Sequence, residues 1–150
     1  MVIKIREMGI DDLSEVFHIG ESIYSSQTFP FMYRTWDEYT VTSYFNGNPG
    51  LCLVAESNGK VIGYIMATVI EKSQSAWKYG YIVWLGVRKY YQRTGVAGRL
   101  YNAIEEKFED LGVRIILADI EGTNHKALGF FRKKKFERAA IYMWVKKTLW

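Results

Sequence analysis

The run Val83-Trp84-Leu85-Gly86-Val87-Arg88-Lys89-Tyr90-Tyr91-Gln92-Arg93-Thr94-Gly95-Val96-Ala97-Gly98 leaves a stretch of strand character, crosses a short loop and enters a stretch of helical character. Its small residues Gly95, Ala97 and Gly98 let backbone approach a ligand closely. The first turn of a helix also presents unpaired N–H groups at the positive end of its dipole, and together these features bind phosphate. Arg88, Lys89, Arg93 and Arg99 surround the turn and supply charge for hydrogen bonds to a phosphate or pyrophosphate. Neither the Gly-Lys-Ser/Thr ending of a P-loop nor the Gly-x-Gly-x-x-Gly of a dinucleotide turn is present. A structural explanation stays open beside the phosphate one, in which Gly95 and Gly98 only permit close helix–sheet packing.

The elements that would position this turn follow from hydrophobic periodicity. Val2 to Arg6 has strand periodicity, and Ile10, Leu13, Val16, Phe17 and Ile23 fall at helical spacing within Gly9 to Tyr24. An aromatic loop with Pro30 follows, and Thr35-Trp36-Asp37-Glu38 has capping-box spacing ahead of a helix over Tyr39 to Phe45. Leu51 to Glu56 and Lys60 to Ile70 read as strands flanking Ser57-Asn58-Gly59, whose Asn-Gly pair suits the positive φ angles of a tight hairpin turn. Trp77 to Val87 reads as a further strand, about Gly95 to Leu111 as a helix stopped by Gly112, and Ile115 to Ile120 as a short strand. Asn124 to Lys134 reads as a last helix, and Phe136 to Thr148 as two short strands or one bent strand. The strand–helix–strand order between Trp77 and Ile120 predicts one parallel pair in an otherwise antiparallel sheet.

Composition narrows the function classes. A chain of 150 residues with 49% hydrophobic and 24% charged residues has globular composition, sized for one domain over 1–150. Its one cysteine, Cys52, lies in an apolar run and reads as a small buried hydrophobe. Met1 to Arg6 alternates apolar and charged residues where an export signal needs an apolar core, and the longest apolar run is too short to span a bilayer, so a cytoplasmic protein is expected. The net charge of +4 favours anionic partners. The basic run Arg132 to Lys135 lies at a helix C-terminus, where cations complement the dipole. Acidic residues interrupt any broader basic stripe, so no nucleic-acid partner is expected. No His, Cys, Asp and Glu cluster has metal-ligand spacing, and no metal is expected.

On its motifs the chain resembles the GCN5-related N-acetyltransferase (GNAT) family. Gln92-Arg93-Thr94-Gly95-Val96-Ala97 matches the family's Gln/Arg-x-x-Gly-x-Gly/Ala signature. Asn58 to Tyr64 is similar to its third-strand hairpin, Leu85-Gly86-Val87 to the end of its fourth strand, and Asn124 to Phe131 with Phe136 to its Asn-x-x-Ala segment. The resemblance implies an α/β (α+β) fold: a mixed, twisted sheet of about seven strands, helices on both faces, and a fourth and fifth strand that splay apart. It implies acetyl-CoA as co-substrate, with the pantetheine arm inserted between those strands against Leu85, Gly86 and Val87. Gln92, Arg93, Thr94, Gly95, Val96, Ala97 and Gly98 would hold the pyrophosphate, and Asn124 and Phe131 would line the far side of the arm.

The implied reaction is direct acetyl transfer to a primary amine of a peptide or small molecule, by a monomer or homodimer. Where family members place a glutamate on the fourth strand this chain has Tyr81, and where many place a proton-donating tyrosine it has Phe131. Glu121 and Asp119, at the end of the fifth strand, are then the nearest candidates for the base, with solvated strand-end charges as the other explanation. His125 is a weaker candidate. Tyr81, Trp84 and Tyr142 would shape the acceptor pocket, although Trp84 is flanked by apolar residues and equally suits the core. The competing class of function is a CoA-binding module without catalysis.

Overall fold

The computed structural model describes residues 1–24 and 36–150, so most of the aromatic loop lies outside the described residues. Residues 1–119 and 120–150 form two compact units. The first unit holds a five-stranded sheet in the order β1 (Lys4–Glu7), β2 (Cys52–Ser57), β3 (Lys60–Glu71), β4 (Lys78–Val87) and β5 (Ile115–Ala118). Neighbouring strands are antiparallel except β4 and β5, which are parallel as the strand–helix–strand pattern predicts. The β2–β3 turn carries Asn58 and Gly59 at φ 52° and 74°, the left-handed pair that the Asn-Gly dipeptide anticipates.

The helices are α1 (Leu13–Ile23), α2 (Glu38–Gly47) and α3 (Val96–Asp110) in the first unit and α4 (His125–Lys133) in the second. None among the described residues is long and apolar enough to cross a membrane. The cap of α2 is Asp37, whose side chain accepts from the Thr40 N–H at 2.7 Å, while Thr35 of the expected capping box lies outside the described residues. Gly63 faces Val96 and Leu100 of α3, while its neighbour Tyr64 packs with Val16, Ile19 and Val41 of α1 and α2. Successive strand residues point to opposite faces, so α3 covers one face of the sheet and α1 with α2 the other.

Two irregularities shape β4. Met66 pairs with Trp84 but Ala67 pairs with Ile82, which leaves Val83 as the extra residue of a β-bulge. The β5 ladder ends at Ile82↔Ala118, the residue just before that bulge, whereas β3 follows β4 on to Gly63↔Val87. A bulge bends its strand and sharpens its twist, and the β4–β5 ladder stops beside it, where β5 itself ends.

The expected count of about seven strands is corrected to five among the described residues. The stretch 136–150 forms no ladder, and its apolar residues Ile141, Tyr142, Met143 and Val145 are exposed. Alternating apolar residues favour a strand only where a neighbouring strand supplies the backbone partners.

Close packing at Gly86 generates a stability prediction. A Cβ there would lie 2.7–2.9 Å from the ring of Tyr64, which is wholly buried. Gly86→Ala should therefore cost about 1–3 kcal/mol through overpacking. Urea unfolding measures this, and an unchanged midpoint would show that the Tyr64 ring has room to move.

Candidate active site

The site grows from the hydrogen-bond alternation of β4. Arg88 N–H donates to the Ile62 carbonyl at 2.8 Å, which makes 62/88 a hydrogen-bonded pair. In an antiparallel ladder such pairs alternate with non-bonded ones, so 64/86 bonds and 63/87 and 65/85 do not. The N–H and C=O groups of Leu85 and Val87 consequently point away from β3, toward the side that β5 has left. Two side chains find these carbonyls: the Tyr24 hydroxyl donates to Leu85 O at 2.5 Å, and Gln92 Nε2 donates to Val87 O at 3.0 Å. A strand-like ligand laid in the split would meet the same row of backbone groups.

The split ends at the turn into α3. Gly95 is the N-cap of α3 at φ 87°, with no side chain to cap the first turn. Arg93 also takes a left-handed φ of 66°, and Thr94 Oγ1 donates to the Tyr91 carbonyl, closing the turn. The N–H groups at the start of a fifteen-residue helix thus sit at its positive dipole end without a side-chain acceptor of their own. Arg93 and Arg99 are exposed beside this turn. Arg88 is engaged elsewhere: its Nε donates to Val61 O at 2.8 Å and a terminal nitrogen lies 3.4 Å from Glu15 Oε2. That guanidinium braces the end of β4 against β3 and α1.

At the other end of the split, the bulge changes which residues share a face. Tyr81 and Trp84 are three residues apart and would face opposite sides of a regular strand, yet both pack with the cluster under α1 and α2. The Tyr81 hydroxyl donates to Asp119 Oδ1 at 2.6 Å. Tyr81 pairs with Leu117, so Asp119 lies two residues further along β5 on the same face. The structure thereby joins two residues that the sequence assigned to different roles. Trp84 is only 2% exposed and sits in an aromatic group with Tyr24 at 4.8 Å and Trp36 at 5.0 Å between ring centroids. It is a core residue here. Beneath the group, burial pushes the Tyr64 hydroxyl well above its ordinary pKa, and the neighbouring Tyr24 adds to that shift, so Tyr64 keeps its proton.

The second unit holds the remaining sequence-predicted residues. The Asn124 side chain caps α4, accepting from the Ala127 N–H at 3.1 Å. Phe131 is buried between Phe130 and Phe136, with ring centroids 5.2 and 4.9 Å away. Glu121 accepts from the Thr123 hydroxyl at 3.3 Å and its carbonyl accepts from the Asn124 N–H, while Tyr142 is 88% exposed. The contact of Tyr24 with Leu85 is not legible in the sequence, because the bond spans 61 residues and no local pattern marks it. No group of three or more His, Cys, Asp and Glu among the described residues could hold a metal ion.

Comparison with known proteins agrees with this architecture. The model of the acetyltransferase (GNAT) family matches residues 20–136. "Acetyltransferase SG1711" of Sodalis glossinidius is 28% identical over 136 residues, covering 89% of this chain and 87% of that protein. Among solved structures, the NatC complex bound to Gag peptide and CoA superposes with a TM-score of 0.77 at 21% identity, covering 93% of this chain and 87% of the other. AAC(6')-Iy in complex with the bisubstrate analogue CoA-S-monomethyl-acetylneamine gives 0.76 at 14% identity, covering 99% of each chain. The glycine-capped turn into α3, the end of the β4–β5 ladder beside the Val83 bulge and a family match that runs through both thus lead to one conclusion: the chain belongs to the GNAT family of N-acetyltransferases, whose acyl donor is acetyl-CoA.

Proposed function

We propose that the protein, acting as one catalytic domain over residues 1–150, moves the acetyl group of acetyl-CoA onto a primary amine by direct attack in a ternary complex. The observation that carries this reading is the row of Leu85 and Val87 backbone groups turned toward the split, ending at the uncapped first turn of α3. The residues fit a CoA-like ligand: the β4 edge pairs with the amides of the pantetheine arm, and the turn from Gln92 to Gly98 binds its pyrophosphate. Leu85 N–H points to the same side and suits the acyl oxygen as charge develops on it. Asn124 and Phe131 remain the proposed lining of the arm's far side, and Glu121 the second candidate base. The protein is read as cytoplasmic, working as a monomer or homodimer.

Asp119 is the favoured base. An amine such as lysine, with an ordinary pKa of about 10.4, is mostly protonated near neutrality and must lose a proton before it attacks. The carboxylate of Asp119 accepts that proton directly or through the Tyr81 hydroxyl, which is already hydrogen-bonded to it. An anionic carboxylate beside aromatic side chains also suits a cationic acceptor. The acceptor class is a peptide or protein amine or a small polyamine such as an aminoglycoside, in line with the peptide and the acetylneamine analogue of the two structural neighbours.

Two measurements test the reading. Ala97→Asp places a carboxylate in the first turn of α3, which favours the helix but opposes an anionic ligand. Thermal stability should hold or rise while CoA affinity, followed by tryptophan fluorescence, falls on the order of tenfold or more. Equal CoA affinity in this variant would move the pyrophosphate site away from the turn. Acetyl-CoA turnover against amino-terminal peptides, lysine peptides, polyamines and aminoglycosides should find an acceptor, and Asp119→Asn should then lower kcat about 100-fold or more. A comparable loss in Glu121→Gln with none in Asp119→Asn would transfer the role to Glu121. Saturable CoA binding without turnover on any amine would favour the non-catalytic CoA-binding module.

A further inference from the structure

Transfer from a thioester needs a second proton movement that the base does not supply. When the new N–C bond forms and the C–S bond breaks, the electron pair of the broken bond goes to sulfur, and the thiolate must be stabilised or protonated. Phe131 carries no hydroxyl, so it cannot serve wherever the arm lies. The proton or hydrogen bond to sulfur then comes from water or from another side chain at the reactive end of the split.

The order of groups along β4 locates that end. The α3 turn follows Val87, so a ligand with its pyrophosphate there passes Val87 first, Leu85 next and the Val83 bulge last. Tyr24, at the C-cap of α1, sends its hydroxyl to the Leu85 carbonyl, the second of these stations. Its ring is held edge-on to Trp84 at 4.8 Å and tilted against Trp36 at 5.6 Å, which fixes where the hydroxyl sits. A phenolic O–H is a single donor that turns about its C–O bond, so it can swing from a carbonyl to a neighbouring sulfur without moving the ring.

We propose that the Tyr24 hydroxyl is the hydrogen-bond and proton donor to the CoA sulfur. As the C–S bond breaks, the sulfur takes the Tyr24 proton and leaves as the thiol, and the phenolate recovers a proton from water. The ammonium loses one proton before attack and the nitrogen a second afterwards, both through the base to water, so transfer yields the amide, the free thiol and one released proton. This role rests on the acetyltransferase reading above, because it requires CoA in the split. Other titratable groups on this face of the sheet include Tyr64, which stays protonated, Cys52, whose thiol burial pushes up to about 11, Tyr44, packed against the same cluster, Glu15, which accepts from the Val61 N–H, and the Tyr81–Asp119 pair. Cys52 lies on β2, two strands from β4, and Tyr81 and Asp119 lie on the far side of the bulge.

The test compares binding of CoA and desulfo-CoA to the full chain and to Tyr24→Phe, at a pH where the free thiol is ionised. Phenylalanine keeps the ring packing against Trp36 and Trp84, so the variant is expected to fold, and equal thermal stability checks that. A charge-assisted bond to sulfur gives the wild type a preference for CoA over desulfo-CoA on the order of tenfold, and Tyr24→Phe should abolish it while leaving desulfo-CoA affinity unchanged. An equal preference in both proteins overturns the role of Tyr24 but leaves CoA binding, and hence the acetyltransferase reading, intact. Absence of binding by either ligand to the wild type overturns that reading, and the role of Tyr24 falls with it.

Discussion

The site depends on one extra residue in a strand. The register with β3 passes from Ile82 to Trp84 with Val83 as the extra residue, and its insertion bends β4 at the point where the ladder to β5 stops. Without the bulge, a parallel neighbour would continue along β4 and the backbone groups of Leu85 and Val87 would be consumed by ordinary strand pairing. With it, two side chains, Tyr24 and Gln92, reach their carbonyls. The opening follows from hydrogen-bond alternation and needs no strained side chain to hold it.

The same insertion organises the side chains. It returns Trp84 to the face already occupied by Tyr81, so the α1 and α2 side of the sheet carries the aromatic group and the Tyr81–Asp119 bond together. On the opposite face, α3 packs so closely that Gly80 and Gly63 leave room for Phe108, Val96 and Leu100. That contact fixes the helix whose first turn is capped by Gly95. The Arg88 bridge to Val61 and Glu15 then ties the end of β4 to β3 and α1, so the split and the turn are held by one set of contacts.

Much of this was legible from local pattern. The Asn58–Gly59 turn, the span of α3 and its stop at Gly112 each rest on residues near one another in sequence. What was not legible depends on partners far away. The bulge lies in a uniform apolar run, Ile82-Val83-Trp84, where no residue type marks which position is skipped. Arg88 looked like one more phosphate ligand until Glu15, 73 residues earlier, was placed beside it. In the sequence Tyr81 is a pocket residue and Asp119 a candidate base or a solvated strand-end charge, and only the parallel register brings them together. The tail from Phe136 has strand-like composition, but composition does not provide a neighbour to pair with.

The claim that a ligand strand occupies the split is tested most directly by amide hydrogen exchange with and without CoA. Leu85 and Val87, whose N–H groups face away from β3, should gain protection on binding, while Gly86, already in the β3 ladder, should change little. Saturable CoA binding that leaves the Leu85 and Val87 amides exchanging as before would contradict the account and place the arm elsewhere.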